Sequence, residues 1–236
     1  MKCINDMKDL LEKDFVAFHN VNSVVTCDIT LCSDKKFDLD DDINYVKPYQ
    51  QGKVSFVNES QTSKEIIPYE KFIDACEKPS SFKQGRKKCD FLVNGVTPKS
   101  CFVFVELTST LNNVTNLSEP IIEKKKNGTI KVLYPKGKYE KCEDQLYQSL
   151  LDIVSVPSIK TYINTKSQKV CLMAYKIILR PDLAEGIKRP QPNALYRLIE
   201  SKETGENGAE LENLKINNLG FEYRRISHDY AFNLIG

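Results

Sequence analysis

The chain has little of what most familiar chemistries need. It carries two histidines, His19 and His228, and neither sits in a Ser/His/Asp or Cys/His signature. Its eight cysteines include no Cys-x-x-C pair, which with so few histidines argues against a zinc site. No glycine-rich phosphate loop is present, because Gly-Val-Thr-Pro-Lys at 95–99 lacks the spacing that cradles phosphates. No run reaches the roughly 18 apolar residues of a membrane span, and the charged stretch Met1–Asp14 has no apolar signal region. No internal repeat is visible. Reduced, mostly buried thiols in a cytoplasmic protein without a membrane partner are the expectation. The triplets at Asn58, Asn113, Asn116 and Asn127 then read as chance rather than as glycan acceptors.

What is present suits one main α/β domain. The 236 residues, 41% hydrophobic, suffice for one good core, and a net charge of +2 identifies no polyanionic partner by itself. Met7, Leu10, Leu11, Phe15 and Phe18 recur at helical spacing, and Ser23–Leu31 reads as a strand. The acidic run Asp38–Asp42 lacks the glycine and terminal glutamate of a calcium loop and reads as a solvated loop. Tyr69, Phe72, Ile73 and Cys76 share a face of a helix over Pro68–Glu77. A second amphipathic helix spans Tyr139–Val154, with Cys142, Leu146, Leu150 and Ile153 as its stripe, and Lys169–Leu179 reads as a strand. Ile130–Tyr134 is a short strand candidate and Ala194–Ser201 a helix candidate. Lys202–Glu210 reads as a loop, and Leu219–Leu234 as a terminal strand or hairpin.

The most informative stretch joins Cys89-Asp90-Phe91-Leu92-Val93 to Val103-Phe104-Val105-Glu106-Leu107-Thr108, the second acid sixteen positions after the first. Two apolar strands ending in carboxylates can bring them together at one sheet edge, as oxygen ligands of a hard cation. Both faces of Cys101–Leu107 are apolar, which marks a central strand where a lone carboxylate is costly unless paired, hydrogen-bonded or metal-bound. A salt bridge to a basic residue satisfies that constraint equally well. The bland alternative for Asp90 is a strand-end residue capping a turn.

This stretch resembles the core of the PD-(D/E)XK nuclease superfamily, in which an Asp on one strand and a Glu-x-Lys on the next hold a metal ion and assist the attacking water. The resemblance covers roughly residues 68–179. It implies an α/β fold, with a mixed central sheet flanked by helices around a restriction-endonuclease-like core. Residues 1–60 would be an N-terminal extension packed on the core, 61–190 the core itself with a Lys-rich insertion at 109–138, and 191–236 a C-terminal accessory segment. It further implies Mg²⁺ or Mn²⁺ at Asp90 and Glu106, Gln145 nearby with Gln148 as second choice, and Glu70 or Glu77 as a further acid. The lysine position holds Thr108, whose hydroxyl carries no charge; Lys99, Lys124, Lys125 or Lys126 folding back would replace it.

Two basic stretches bear on nucleic-acid binding. Arg86, Lys87 and Lys88 lead into the Asp90 strand, and Lys124, Lys125, Lys126, Lys131, Lys136, Lys138 and Lys141 lie among Tyr134 and Tyr139. Such windows neutralise phosphates and stack bases, although a lysine-rich loop is more often a solvated face. By resemblance the substrate is nucleic acid, DNA favoured, in a bacterial restriction or antiviral defence setting beside a partner subunit or as a homo-oligomer. The competing expectation is an inactive nuclease-like subunit with a structural, regulatory or nucleic-acid-binding role.

Overall fold

Strand-forming sequence that is apolar on both faces needs cover on both sides, and the fold supplies two different covers. The computed structural model describes residues 6–21, 24–77, 85–111, 121–124, 130–133, 138–178 and 207–236; side chains at 109–111, 121–124, 130–133, 138, 177 and 178 are outside the description. The first helix, α1, runs continuously through Met7–Asp9, a π-helical Leu10–Phe15 and Val16–Phe18. It is followed by β1 (Thr30–Cys32), β2 (Lys36–Leu39), β3 (Val46–Pro48), β4 (Val54–Val57) and β5 (Lys64–Pro68). Next come α2 (Tyr69–Glu77), β6 (Phe91–Gly95), β7 (Cys101–Leu111), β8 (Ile121–Lys124) and β9 (Ile130–Leu133). The chain closes with α3 (Lys138–Val154), α4 (Pro157–Ile163), β10 (Gln168–Ile178), β11 (Asn207–Leu211), α5 (Leu214–Asn217), β12 (Glu222–Ser227) and β13 (Ala231–Asn233).

The architecture is mixed α/β. A seven-stranded sheet has the order β1-β5-β6-β7-β10-β12-β11, and a four-stranded sheet the order β13-β4-β2-β3. Strands β5, β6 and β7 are antiparallel neighbours, whereas β7, β10 and β12 run parallel. A parallel neighbour requires a crossover, and α3 with α4 provides it between β7 and β10. Strands β8 and β9 form their own antiparallel pair.

Period-two alternation assigns β7 to two cores. Phe102 and Phe104 join Cys142, Leu146 and Leu150 of α3, Phe72 of α2, and Leu11 and Phe15 of α1. Cys101, Val103, Val105 and Leu107 meet Phe37, Leu39, Val54 and Phe56 of the small sheet. The order is therefore helices, large sheet, small sheet.

Several sequence expectations change. The Ser23–Leu31 strand is reduced to β1, its first residue lying outside the described set. Asp38 is not in a solvated loop: it sits in β2 at 1% exposure, while Asp41 and Asp42 are exposed. Leu219–Leu234 forms two strands that join different sheets and so is not a hairpin. Asn207–Leu211, expected to be largely loop, pairs with β12 through a bulge, with Gly208 at φ +79°. The Ala194–Ser201 helix lies outside the described residues. Asn58 is buried and its amide donates to the Asp34 and Thr62 carbonyls, so it presents nothing to glycosylate; the other three triplets lie outside the described residues. Seven cysteines are buried free thiols, Cys3 being outside the description. Among the described residues, no helix is long and apolar enough to cross a membrane.

The β6–β7 turn is closed by buried groups. Ser100 Oγ donates to the Gly95 carbonyl at 2.9 Å, and the Lys166 ammonium donates to the same carbonyl at 2.6 Å. A Cβ on Gly95 would lie 2.5 Å from Ser100 Cβ. Gly95→Ala is expected to cost about 1–3 kcal/mol through overpacking, read as a lower urea midpoint at unchanged m-value.

Candidate functional site

The β6–β7 register pairs Phe91 with Val105 and Leu92 with Phe104. One further step places Asp90, the residue before β6, opposite Glu106. Asp90 is then held from two sides: its Oδ2 accepts the Leu107 N–H at 2.6 Å, and its backbone carbonyl accepts the N–H of Glu70, in the first turn of α2, at 3.3 Å. Glu106 alternates onto the helix-covered face with Phe102 and Phe104, and in the parallel register lies beside Met173 of β10. The Gln145 side chain of α3 hydrogen-bonds Glu106 and also donates to the Lys88 carbonyl at 3.1 Å. Glu106 is only 4% exposed, and its Oε2 is buried without a partner.

The electrostatics follow from that burial. Loss of solvent pushes the Glu106 carboxyl up to about 10, with Asp90 and Glu70 adding to the rise and the Gln145 hydrogen bond opposing it. Burial likewise lifts Asp90 to about 7; the Leu107 N–H opposes, Glu70 and Asp41 add, and Lys53 opposes. Two adjacent carboxyls thus favour their neutral forms, an arrangement that a cation between them would reverse.

The donor set suits one kind of ion. Carboxylate oxygens are hard ligands, and Mg²⁺ is commonly bound by one or two carboxylates while keeping several waters. Asp90 and Glu106, with Oε2 unpartnered, fit that requirement, and Mn²⁺ accepts the same oxygens. They do not form an all-protein cage: among the described residues, no group of three or more His, Cys, Asp or Glu side chains converges on a common point.

The remaining sequence candidates fall into distinct settings. Thr108 is half-buried, two residues beyond Glu106 on the same strand face and in register with Tyr175. Lys99 lies in the turn before the opposite end of β7, roughly 20 Å away at the strand rise of about 3.3 Å per residue, too far to replace a lysine at 108. Lys53 supplies a cation that Asp90 feels, although its Nζ also holds Asp41 at 2.6 Å. Nothing in the sequence marked it, since it reaches the site from the turn before β4.

Glu70, Arg86, Lys87, Lys88, Lys141 and Gln145 line a cleft of about 500 Å³. Three of its cations are engaged: Arg86 with Asp152, Lys87 with Asp144 at 2.5 Å, and Lys88 with Asp74 and Glu77. Glu77 is turned away as an anchor, accepting the Gly85 and Arg86 N–H groups at 3.2 and 3.1 Å. Gln148 donates to Asp152, which leaves Gln145 as the glutamine at the carboxylates. Lys124 ends β8 and Lys138 opens α3, both with side chains outside the description, while Lys125 and Lys126 lie outside the described residues.

No protein-family model matches this chain, and comparison with curated proteins and with solved structures gives no match. Function must be argued from the site's own chemistry.

Proposed function

We propose that this chain is a nucleic-acid-acting protein of the PD-(D/E)XK type, with Asp90 and Glu106 as ligands of Mg²⁺ or Mn²⁺. The observation that carries the reading is the half-buried Asp90 set by the β6–β7 register opposite the buried Glu106, one oxygen of Glu106 being unpartnered. The succession α2, β6, β7, α3, β10, with β10 parallel to β7, supports a restriction-endonuclease-like core. A bound divalent ion supplies Lewis-acid polarisation of a phosphate and a lowered pKa for water.

The chain's own residues prepare that chemistry. The Leu107 N–H fixes one Asp90 oxygen, and Gln145 orients Glu106 while tying it to the Lys88 backbone. The basic cleft beside Gln145 favours an anionic backbone, with Lys141 at its exposed edge. Thr108 offers a hydroxyl that can position water and supplies no charge. DNA in a bacterial defence setting, beside a partner subunit or a second copy, is the context that the resemblance suggests.

A second reading has its own observation. With Thr108 at the lysine position and Arg86, Lys87 and Lys88 already paired to carboxylates, the scaffold also suits a nuclease-like subunit that does not cut. Linear, circular and single-stranded DNA and RNA, each with Mg²⁺ or Mn²⁺, separate the two. Wild type is expected to cleave, and Glu106→Ala to lose on the order of a hundredfold or more, as when one electrostatic stabiliser of a transition state is removed. Cleavage only by Thr108→Lys would mean a disarmed site, and no cleavage by any variant would support the second reading.

A further inference from the structure

We propose that a second pocket, sharing no lining residue with the cleft, binds a small molecule through a primary ammonium or guanidinium group held by Asp38 and His228. The pocket measures about 270 Å³, and its lining includes Asp38, Ser55, Lys176, His228, Asp229 and Tyr230. Its floor is the small sheet, where Asp38 of β2 pairs with Ser55 of β4 and Ser55 with Ala231 of β13. Its wall is the turn after β12, in which the Tyr230 N–H returns to the Ser227 carbonyl and the His228 N–H to the Tyr175 carbonyl.

The burial of Asp38 is constructed. Phe37 and Leu39 face the inter-sheet core, so alternation sends Asp38 to the opposite face of β2, where a strand residue ordinarily meets water. It is nevertheless only 1% exposed. Gly52 approaches so closely that a Cβ there would lie 2.7 Å from Asp38 Cβ, and its N–H donates to Asp38 Oδ2 at 2.8 Å. One carboxylate oxygen is thereby satisfied, while Oδ1 is buried with no partner. His228 Nδ1 is the other buried, unpartnered atom of the same lining. A buried acceptor without a donor is costly, and two in one cavity imply a group that supplies donors.

Chemistry narrows that group. His228 Nε2 lies 3.4 Å from Asp229 Oδ1, and the tautomer that turns its N–H towards this carboxylate leaves Nδ1 as an acceptor. Both orphan atoms therefore ask for N–H or O–H donors. Asp38 and Asp229 outweigh Lys176, so the lining is acidic overall and prefers a cation. Ammonium and guanidinium groups combine positive charge with several donors. The volume restricts the ligand to a small amine or guanidine.

Backbone amide NMR of the full chain, titrated with methylguanidinium chloride and with methylammonium chloride at constant ionic strength, tests the assignment. Tetramethylammonium, a cation without N–H donors, serves as control. The expected result is saturable shifts at the Gly52 and His228 amides with at least one of the two donors, none with tetramethylammonium, and at least tenfold weaker binding in Asp38→Asn. Should Asp38→Asn fail to fold, His228→Phe keeps a ring while removing Nδ1 and carries the same expectation. Absence of saturable shifts with both donors, equal shifts with tetramethylammonium, or unchanged affinity in the folded variant would each overturn the proposal.

Discussion

Glu106→Gln is expected to make the metal-free protein more stable at pH 7. Burial and the neighbouring acids hold the Glu106 carboxyl neutral up to about 10, whereas in the unfolded chain a glutamate ionises near 4.3. Folding at neutral pH must therefore take up a proton, at a cost of roughly 4 kcal/mol by linkage between the unfolded value and pH 7. The sign follows from proton counts: between the two pKa values the native state binds more protons, so stability is fully present below the unfolded value and declines as pH rises towards the folded one. Asp90 adds a decline of the same sign between its unfolded value and about 7. Glutamine keeps the shape and the Gln145 contact without that cost, which translates to a Tm gain of about 8–16 °C for a chain of this size. Melts in EDTA from pH 5 to 8 should show wild type losing stability more steeply than the variant. Millimolar Mg²⁺ or Mn²⁺ should then close most of that gap, since an ion at a hundred times its Kd adds roughly 2.7 kcal/mol to wild type alone. A variant that melts below wild type in EDTA, together with no metal shift in wild type, would mean that Glu106 is a structural carboxylate and would remove the basis for a metal site.

The parts of the fold legible in the sequence are those whose signal is local and strong. The Cys142, Leu146, Leu150 and Ile153 stripe gave α3 because burial of one helix face imposes its own period, and all four are buried. Strands β7 and β10 were legible because central parallel strands are apolar on both faces. The small sheet was not: β2, β3 and β4 are three or four residues long, and β2 carries an aspartate that became buried only because Gly52, fourteen positions later, folds over it. Strands β12 and β13 read as neighbours because chain proximity suggests a hairpin, whereas their parallel partners β10 and β4 are distant in sequence. At the site, Asp90 and Glu106 were legible as carboxylates ending two apolar strands, and Gln145 entered only as what the resemblance implies. Glu70 was a candidate acid by resemblance, whereas the contribution of Lys53 is tertiary and left no mark on the sequence. The basic turn was visible as charge, yet the carboxylates that engage it belong to α2 and α3 and only the fold brings them there.

That engagement makes Arg86 a structural cation, and Arg86→Ala is expected to cost about 3–5 kcal/mol, the usual consequence of leaving one member of a buried ion pair alone. The Arg86 guanidinium places Nε 2.5 Å from Asp152 Oδ2 and its terminal nitrogen on Oδ1, a fork that an ammonium cannot reproduce. The Asp152 side chain is 3% exposed; Gln148 donates to its Oδ1 at 2.9 Å, a neutral contact too weak to compensate a stranded carboxylate. Lys87→Ala provides the contrast: half of its side chain is exposed, so its pair with Asp144 is expected to contribute about 1 kcal/mol or less. Replacing Arg86 and Asp152 together with apolar residues of similar volume should recover much of the loss, because the penalty lies in the stranded charge and the pair itself contributes little net stability. Urea titrations of the three variants measure all of this at once. The effect should also reach the site. Two residues beyond Arg86, the Lys88 carbonyl receives Gln145, and the next N–H, that of Cys89, donates to Ser149 Oγ at 2.8 Å before Asp90 is reached. Loosening the turn therefore frees the glutamine that orients Glu106, and Arg86→Ala should weaken the Mg²⁺-dependent stabilisation as well as the fold. A folded Arg86→Ala with wild-type stability and a wild-type metal response, but a loss of nucleic-acid affinity, would instead make Arg86 a phosphate contact whose pairing with Asp152 gives way on binding.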